Sequence, residues 1–394
     1  MAIPRVRLKD VPPERLSHGH LWIFSNEISG ILGAADPGSL VEVWSRQNQF
    51  LGIGFWNPRS LITVRFLTRE QEPIDEKFWV KRVARAQSLR AAAYPKESSY
   101  RLIFGESDGF PGLVVDRYGD CLVMQSYCLG MDRLIPMIQP VLLELFHPKS
   151  IVLRNDSSIR TLEGLETGSS ILYGENHFPL EITQSFGAKK LRFNVDPMAG
   201  QKSGFFFDQR ENRQSVARWC DGKTVLDAYA YSGAFGIYAF ANGAKKVTAI
   251  DSSEVACESA RKNFTLNQVS GEVLETDVET ALEKYKRANI QFDVVVLDPP
   301  ALAKTKKNIF GALRKYQTIN EQALALIPVG GILATSSCSH HVRREDFSRV
   351  LASAAISAKR QVRVLEWRGQ ALDHPQHPGM PETEYLKCAI LRVD

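Results

Sequence analysis

Hydrophobic residues recur at two spacings along this chain, and the change between them divides it into regions. Up to about residue 72, short alternating runs separated by turns predict five β-strands. The next region mixes such runs with two segments of helical spacing, 76–94 and 131–146. From residue 194 to the end, apolar strands alternate with helical segments. We therefore predict a small β-barrel, an α+β domain and a doubly wound α/β domain, over residues 1–72, 76–190 and 194–394.

The third region contains seven strand-like segments with helices between them, which predicts a mainly parallel sheet with the last strand added antiparallel. The carboxyl ends of parallel strands lie at one edge of such a sheet, where ligands bind. The predicted strands are 224–226, 247–250, 272–275, 292–297, 331–336, 362–367 and 385–391.

The segment 223–251 reads as strand, glycine-containing turn, helix and second strand, with Asp227 ending the first strand and Asp251 ending the second. Such a unit is typical of sheets that hold a cofactor with an adenosine half. The turn lacks the first glycine that a dinucleotide pyrophosphate needs, so we predict S-adenosylmethionine instead. Asp227 would then face its ammonium group, Gly233 would let the backbone approach it, and Asp251 would accept hydrogen bonds from its ribose. A plain packing turn is the alternative.

The third strand ends at Glu275-Thr276-Asp277-Val278, where Asp277 is expected to accept from the adenine amino group and Val278 to donate a backbone N–H. A solvated acid at a strand end is the alternative. With the neighbouring positions at these strand ends, the predicted cofactor contacts are Asp227, Tyr229, Tyr231, Ser232, Gly233, Asp251, Ser252, Asp277, Val278, Asp298 and Pro299.

The fourth and fifth strands end in residues that suit chemistry on an acceptor. Asp298 is followed by Pro299 and Pro300, which lack N–H groups and make a rigid loop. Cys338 follows the next strand among Ser, Thr and His, a setting that suits a reactive thiolate better than an inert buried thiol. We expect Asp298 and Cys338 to face one pocket. His340 and His341 lack a third ligand, so no metal site is predicted.

Two segments are rich in basic residues: 301–320, which directly follows the Asp298 loop, and 185–213, which precedes the first strand of the sheet. A basic run is most often a solvated face, but the position of 301–320 favours contact with phosphates and salt-sensitive binding, and 185–213 is a second candidate. The predicted RNA-binding residues are Lys202, Arg210, Lys304, Lys306 and Lys307.

Composition narrows the class of protein without deciding it. The net charge of +5 permits an anionic partner but does not require one. Six scattered cysteines with no CxxC pair fit a reduced compartment. With no apolar signal segment and no long apolar run, we expect a cytoplasmic protein without a membrane span.

The motifs together resemble the bacterial 23S ribosomal RNA cytosine-C5 methyltransferases, which have a PUA domain, a central α+β domain and a class I methyltransferase domain. The resemblance covers essentially the whole chain. DPP alone is common to many nucleic-acid methyltransferases, and its combination with GQKSGFFFDQR and SCS is far more specific. The segments that carry it are HGHLWIFSNEI, GQKSGFFFDQR, DAYAYSGAFG, LDPPALAK, TSSCSHHV and DHPQHPGMPETEYLK.

The resemblance implies covalent catalysis on cytosine C5, with Cys338 adding to C6 of the base and Asp298 hydrogen-bonding near N3 and the exocyclic amine. It leaves open the base that removes the C5 proton, the target nucleotide and the oligomeric state, a homodimer being one possibility. One alternative is guanine N-methylation with the DPP loop, in which Cys338 is structural. Another is a non-catalytic RNA-binding protein.

Overall fold

The structure is a computed structural model that describes residues 3–198, 200, 203–303 and 305–394. Its contacts divide the chain into two compact units. Unit 1 contains Met1–Leu180, Asp196–Gly204 and Leu372–Thr383, and unit 2 contains Glu181–Val195, Phe205–Ala371 and Glu384–Asp394.

Unit 1 begins with a six-stranded mixed sheet of strand order β2-β6-β5-β4-β1-β3. Inward residues such as Val6, Val41 and Val64 are fully buried in its core, as the alternating sequence predicts. The strand β3 was not predicted, because none of its residues is buried and its apolar pattern is weak. The elements are β1 Arg5–Leu8, α1 Glu14–Ser17, β2 Trp22–Phe24, β3 Ile28–Leu32, β4 Leu40–Trp44, β5 Phe50–Trp56 and β6 Ile62–Thr68.

The second sheet of unit 1 has five strands in the order β11-β10-β9-β8-β7, of which only the β9–β10 pair is parallel. Two long helices pack with it around a second core that includes the fully buried Trp79 and Phe110. The elements are α2 Glu76–Ala93, β7 Ser99–Phe104, β8 Leu113–Tyr118, β9 Cys121–Ser126, α3 Leu129–Phe146, β10 Ser150–Asn155 and β11 Gly168–Gly174.

Unit 2 is built on a seven-stranded sheet of order β16-β15-β14-β17-β18-β20-β19, preceded by the hairpin β12–β13. The first five strands in that order are parallel, and β20 runs antiparallel to both of its neighbours, as predicted. The strands are β12 Leu180–Phe186, β13 Lys189–Val195, β14 Thr224–Ala228, β15 Lys246–Asp251, β16 Gly271–Glu275, β17 Val294–Leu297, β18 Ile332–Ser337, β19 Val362–Arg368 and β20 Lys387–Val393.

Helices connect the parallel strands and cover the sheet, which confirms the doubly wound α/β prediction. The central strand β17 is buried at every position. Its sequence, Val-Val-Val-Leu, is therefore continuously hydrophobic and does not alternate between apolar and polar residues. The helices are α4 Arg210–Ala217, α5 Ala234–Ala241, α6 Glu254–Leu266, α7 Val278–Arg287, α8 Ile309–Ala325 and α9 Arg344–Ser357.

The predicted boundary between residues 190 and 194 falls inside β13, and the contacts place Glu181–Val195, which is nearly all of this hairpin, in unit 2. The reason is a pair of asparagines, Asn263 on α6 and Asn267 at its C-terminal cap. Asn263 accepts from the backbone N–H of Asn194 at 2.7 Å, and Asn267 bonds both backbone groups of Arg192. An alternating hairpin looks the same in sequence whichever unit it joins. The separation of residues 1–72 from 76–190 as two domains stays a prediction.

Across the residues that the structure describes, every helix is too short or too polar to cross a membrane.

Candidate active site

The turn after β14 has an unusual backbone conformation and is fixed by one half-buried acid, Asp251. Tyr229, Tyr231 and Gly233 all have positive φ, at 62°, 49° and 72°. Positive φ is uncommon for residues other than glycine, and clusters of it are found at functional sites. The backbone N–H of Tyr231 donates to Asp251 Oδ2 at 2.9 Å, so the acid ending β15 fixes the turn that follows β14.

Packing against Phe264 explains why position 233 is a glycine. Its φ is +72°, and a Cβ there would lie 2.7 Å from Cε1 of Phe264 on α6. The sequence argument assigned this glycine to close approach of the cofactor, but the group that excludes a side chain is Phe264. The buried Asn263 supports the same turn by donating to the carbonyl of Ser232 at 3.1 Å.

Asp227 is a buried carboxylate that can accept more hydrogen bonds than it does. It is 1% exposed, and its Oδ2 accepts from the N–H of Gly236 at 2.9 Å. Among the described residues, its Oδ1 has no hydrogen-bond partner. Burial, together with the nearby negative charge of Asp298, raises the pKa of Asp227 to about 7. A buried acceptor without a partner is costly, so this oxygen suits a cationic ligand.

Asp251 and Asp277 hold the adjoining backbone and retain acceptor capacity. Asp251 Oδ1 accepts from the N–H of Ser253, while Oδ2 accepts from Tyr231. Asp277 caps α7 through the N–H and hydroxyl of Thr280, both at 2.9 Å, and these bonds, with the backbone N–H first, lower its pKa. Each carboxylate oxygen can accept a second bond, so neither role excludes a ligand.

The flanking predicted contacts lie at the same strand ends. Ser252 is exposed beside Asp251, Val278 is the buried first residue of α7, and Pro299 is buried after Asp298. Their roles toward a cofactor stay a prediction.

Asp298 follows β17 and is held by a residue far away in sequence. Its Oδ1 accepts from Gln209 Nε2 at 2.8 Å, and the same amide group donates to Ser336 Oγ at 3.3 Å. Gln209 is 2% exposed, and Asn212 in turn donates to its Oε1 at 2.6 Å. This fixed amide orients the carboxylate, which is half-buried.

Cys338 lies next to the Asp298 loop. Its Sγ is 3.8 Å from the carbonyl oxygen of Pro299, so the structure brings together the two strand ends that the sequence predicted. Cys338 is half-exposed, whereas the other five cysteines are buried. Its accessibility distinguishes it from inert core thiols.

The loop that carries Cys338 is fixed on both sides. The Ser339 hydroxyl accepts from the N–H of Ala303 at 3.1 Å and lies 3.1 Å from the hydroxyl of Tyr316. Lys387 donates to the Ser339 carbonyl at 2.7 Å. The sequence analysis did not single out Lys387 or Tyr316, although Lys387 lies within the TEYLK segment that carries the family resemblance.

His340 and His341 follow Cys338. His340 is exposed, with its ring 5.4 Å from that of Tyr385, and His341 is half-buried. Within the described part of the chain, no three His, Cys, Asp or Glu side chains group as metal ligands.

The predicted RNA-binding residues differ in how exposed they are in the structure. Arg210 is 2% exposed and lies over the ring of Phe207, so its prediction as a phosphate contact is wrong in this structure. The Phe-rich segment before it forms core, which buries the arginine as well. Lys306 and Lys307 are exposed in a short turn before α8. Lys202 and Lys304 lie outside the described residues.

Comparison with known proteins assigns the chain to a family. Residues 6–69 match the family model "PUA-like domain", and residues 195–350 match "Conserved hypothetical protein 95". The ribosomal RNA large subunit methyltransferase I of Aeromonas hydrophila is 38% identical over 381 residues, 95% of each chain. That of Shewanella frigidimarina is 38% identical over 400 residues, covering all of both chains. The chain belongs to the ribosomal RNA large subunit methyltransferase I family.

Solved structures confirm the fold of this family member. A protein from Streptococcus mutans described as a SAM-dependent methyltransferase superposes with a TM-score of 0.81 at 18% identity, covering 99% of this chain and 100% of that one. A structure named SMU.776, complexed with SAH, matches with the same values. The predicted fold class is therefore confirmed: a PUA-like domain precedes a SAM-dependent methyltransferase fold.

The site residues fit the cofactor of this fold, S-adenosylmethionine. The unpartnered Asp227 Oδ1 matches an ammonium group, and the free acceptor capacity of Asp251 matches ribose hydroxyls. The parallel strands bring both acids to one edge of the sheet. The prediction of S-adenosylmethionine as the cofactor is thus confirmed by family and fold, whereas the individual contacts stay predictions.

Proposed function

We propose that this protein methylates C5 of a cytosine in large-subunit (23S) ribosomal RNA, with Cys338 as the covalent nucleophile. The observation that carries the proposal is the half-exposed Cys338 thiol beside the Asp298-Pro299 loop, at the same sheet edge as Asp227 and Asp251. A purine N-methyltransferase needs no nucleophile there. The PUA-like match and the family's name support ribosomal RNA as the substrate.

Cytosine C5 needs activation before it takes a methyl group. The Cys338 thiolate adds to C6, forming an S–C6 bond while the C5–C6 π electrons move onto C5. Asp298 accepts a hydrogen bond from the exocyclic amine, and the rigid Gln209 contact keeps its carboxylate oriented for this. S-adenosylmethionine, when bound, supplies the electrophilic methyl group.

Cys338 must then leave. A base takes the proton from C5, the C5–C6 double bond re-forms, and the sulfur departs as the thiolate with the electron pair of the S–C6 bond. The Asp298 neighbourhood, DPPAL, contains no second cysteine to assist release. The target base must be unstacked to reach the site. Lys306 and Lys307, exposed just beyond the Asp298 loop, are proposed to contact the flanking phosphates.

Methylation of total RNA with labelled cofactor, followed by nucleoside analysis, tests this proposal. We expect label in 5-methylcytidine and a loss of activity of about 10³-fold or more in Cys338→Ala. We also expect wild-type protein to form a covalent adduct with RNA containing 5-fluorocytidine, because fluorine at C5 blocks release. The control is Cys220→Ala, which removes a fully buried thiol outside the site.

Label in a methylguanosine, or wild-type activity in Cys338→Ala, would overturn the proposal in favour of guanine N-methylation with Cys338 in a structural role.

A further inference from the structure

A buried lysine lies beside the proposed nucleophile. Lys387 is the first residue of β20 and pairs across the strands with Ser337, the residue before Cys338. It is 5% exposed, and its Nζ donates to the carbonyls of Ser339 at 2.7 Å and Tyr385 at 2.8 Å. Lysine is rarely buried this completely unless its charge is balanced.

Carboxylates do not balance this charge. Among the described residues, no Asp or Glu oxygen lies within 4.0 Å of Lys387 Nζ. Burial lowers the pKa of Lys387 to about 8, and the negative charge of the Cys338 thiolate, ahead of that of Glu384, acts to raise it. Ionised Cys338 is therefore the anion that would favour the charged form of Lys387 most strongly.

We propose that Lys387 is a positioning residue for Cys338: its ammonium group fixes the loop through the Ser339 carbonyl and stabilises the thiolate form of Cys338. This inference rests on the proposed function, in which that thiolate attacks the base. The two carbonyl contacts use two of the three N–H donors of Lys387. They therefore hold its ammonium group in one position beside the Cys338 loop.

Other charges near Cys338 oppose ionisation of its thiol, and a cation beside the loop offsets them. Asp298 lies on the adjacent loop, and Glu384 is exposed three residues before Lys387, so both anions oppose ionisation of the thiol. Tyr316 reaches the loop from α8, and burial raises its pKa, which keeps it neutral. Further titratable groups among the described residues near the loop are His340 and His341 on the loop itself and Tyr385, whose ring lies 5.4 Å from that of His340.

Alkylation of the native protein by iodoacetamide between pH 5.5 and 9.5, followed by intact mass, measures the thiolate directly. Because the other five cysteines are buried, the first label reports Cys338, and Cys338→Ser gives the background. In Lys387→Met we expect the pH midpoint to rise by about one unit or more, with alkylation at pH 7 about tenfold slower. Lys387→Arg, which keeps the charge, should stay near wild type.

The matched control is Lys262→Met, which removes an exposed lysine of α6. A midpoint in Lys387→Met that equals those of wild type and Lys262→Met would overturn the inference, since a merely structural role would not move the titration of the thiol.

If Lys387→Met does not fold, the titration of Lys387 itself tests the inference. Coupling between two groups is mutual, so removing the thiolate must lower the pKa of Lys387 by as much as the ammonium lowers that of the thiol. We expect Cys338→Ser to shift the titration of the Lys387 ¹³Cε resonance to lower pH. An unchanged titration would contradict the proposal.

The 5-fluorocytidine trap separates this inference from the proposed function. No adduct in wild type, with a shifted alkylation profile in Lys387→Met, would refute the proposed nucleophilic role and leave the Lys387–Cys338 pair established. An adduct in wild type with an unshifted profile would refute only the role of Lys387.

Discussion

The residues predicted to bind the methyl donor (the donor side) and those proposed to act on the acceptor base (the acceptor side) are assembled in different ways. On the donor side, the turn after β14 is fixed mainly by nearby chain, with Tyr231 bonded to Asp251 only 20 residues later. On the acceptor side, Asp298 is held by Gln209, 89 residues before it, and the Cys338 loop by Lys387, 48 residues after Ser339. The contrast indicates that the cofactor turn can be recognised from one stretch of sequence, whereas the acceptor chemistry depends on distant residues. It also predicts that substitutions on the two sides affect different steps.

The largest effect is expected on the acceptor side. Asp298→Asn removes the oriented, negatively charged carboxylate that is proposed to assist addition to the base. The kcat should therefore fall by about 10²- to 10⁴-fold. Affinity for S-adenosylhomocysteine should change by less than about tenfold, since Asp227 and Asp251 remain. Single-turnover methylation and calorimetry measure the two quantities separately.

The control for this variant is Asp293→Asn, just before the same strand β17, where the carboxylate binds Thr224. Its kcat should remain within a few-fold of wild type. Equal losses of kcat and of cofactor affinity in Asp298→Asn would show that Asp298 belongs to the donor side. That result would contradict the division between the two sides.

A smaller effect, confined to binding, is expected for Asp227→Asn. An ammonium group binds an ionised carboxylate more strongly than an amide, so affinity for S-adenosylhomocysteine should fall by about 10- to 100-fold at pH 8. Because the pKa of Asp227 is raised to about 7, wild-type affinity should increase as the pH rises through 7, and the variant should lack this increase. Calorimetry at pH 6 and pH 8 checks both points. Equal pH dependence in the two proteins would show that another group binds the ammonium.

The same raised pKa has the opposite consequence for the stability of the protein without cofactor. The unfolded chain loses the Asp227 proton near pH 3.8 and the folded chain only near 7, so stability falls as the pH rises between these values. The cost above pH 7 is up to about 4 kcal/mol, and Asp227→Asn should remove most of it. Denaturant unfolding at pH 5 and pH 8 measures the difference.

The smallest effect concerns stability of the donor turn. Gly233→Ala introduces a Cβ that meets Phe264 at 2.7 Å, and it also places alanine at a φ of +72°. We expect a loss of about 2–3 kcal/mol in the free energy of unfolding. The matched control is Gly222→Ala, at a φ of +68° with nothing within 4 Å of the added Cβ, where only the conformational cost of about 1 kcal/mol applies. Equal losses in the two variants would show that the Phe264 contact relaxes freely.

Sequence reasoning placed the acids correctly along their strands, because strand ends are marked by the local sequence. Asp227, Asp251 and Asp298 were predicted at strand ends, and the parallel sheet brings those ends to one edge. It failed for Arg210, because its charge suggested a surface position while its neighbours Phe205 and Phe207 are buried in the core. It also placed a boundary inside β13, because the contacts of Asn263 and Asn267 with that strand join residues some 70 positions apart.

The sequence by itself determined the order of strands and helices and the type of cofactor, since local periodicity and strand-end positions are encoded over short stretches. It also placed the two residues proposed for the acceptor side at neighbouring strand ends. Only the tertiary structure decided what surrounds those residues. The unpartnered oxygen of Asp227, the amide of Gln209 on Asp298 and the buried ammonium of Lys387 beside Cys338 all arise from packing between distant segments. Burial and long-range hydrogen bonds set the charge state of a side chain, and neither can be read from its neighbours in the chain.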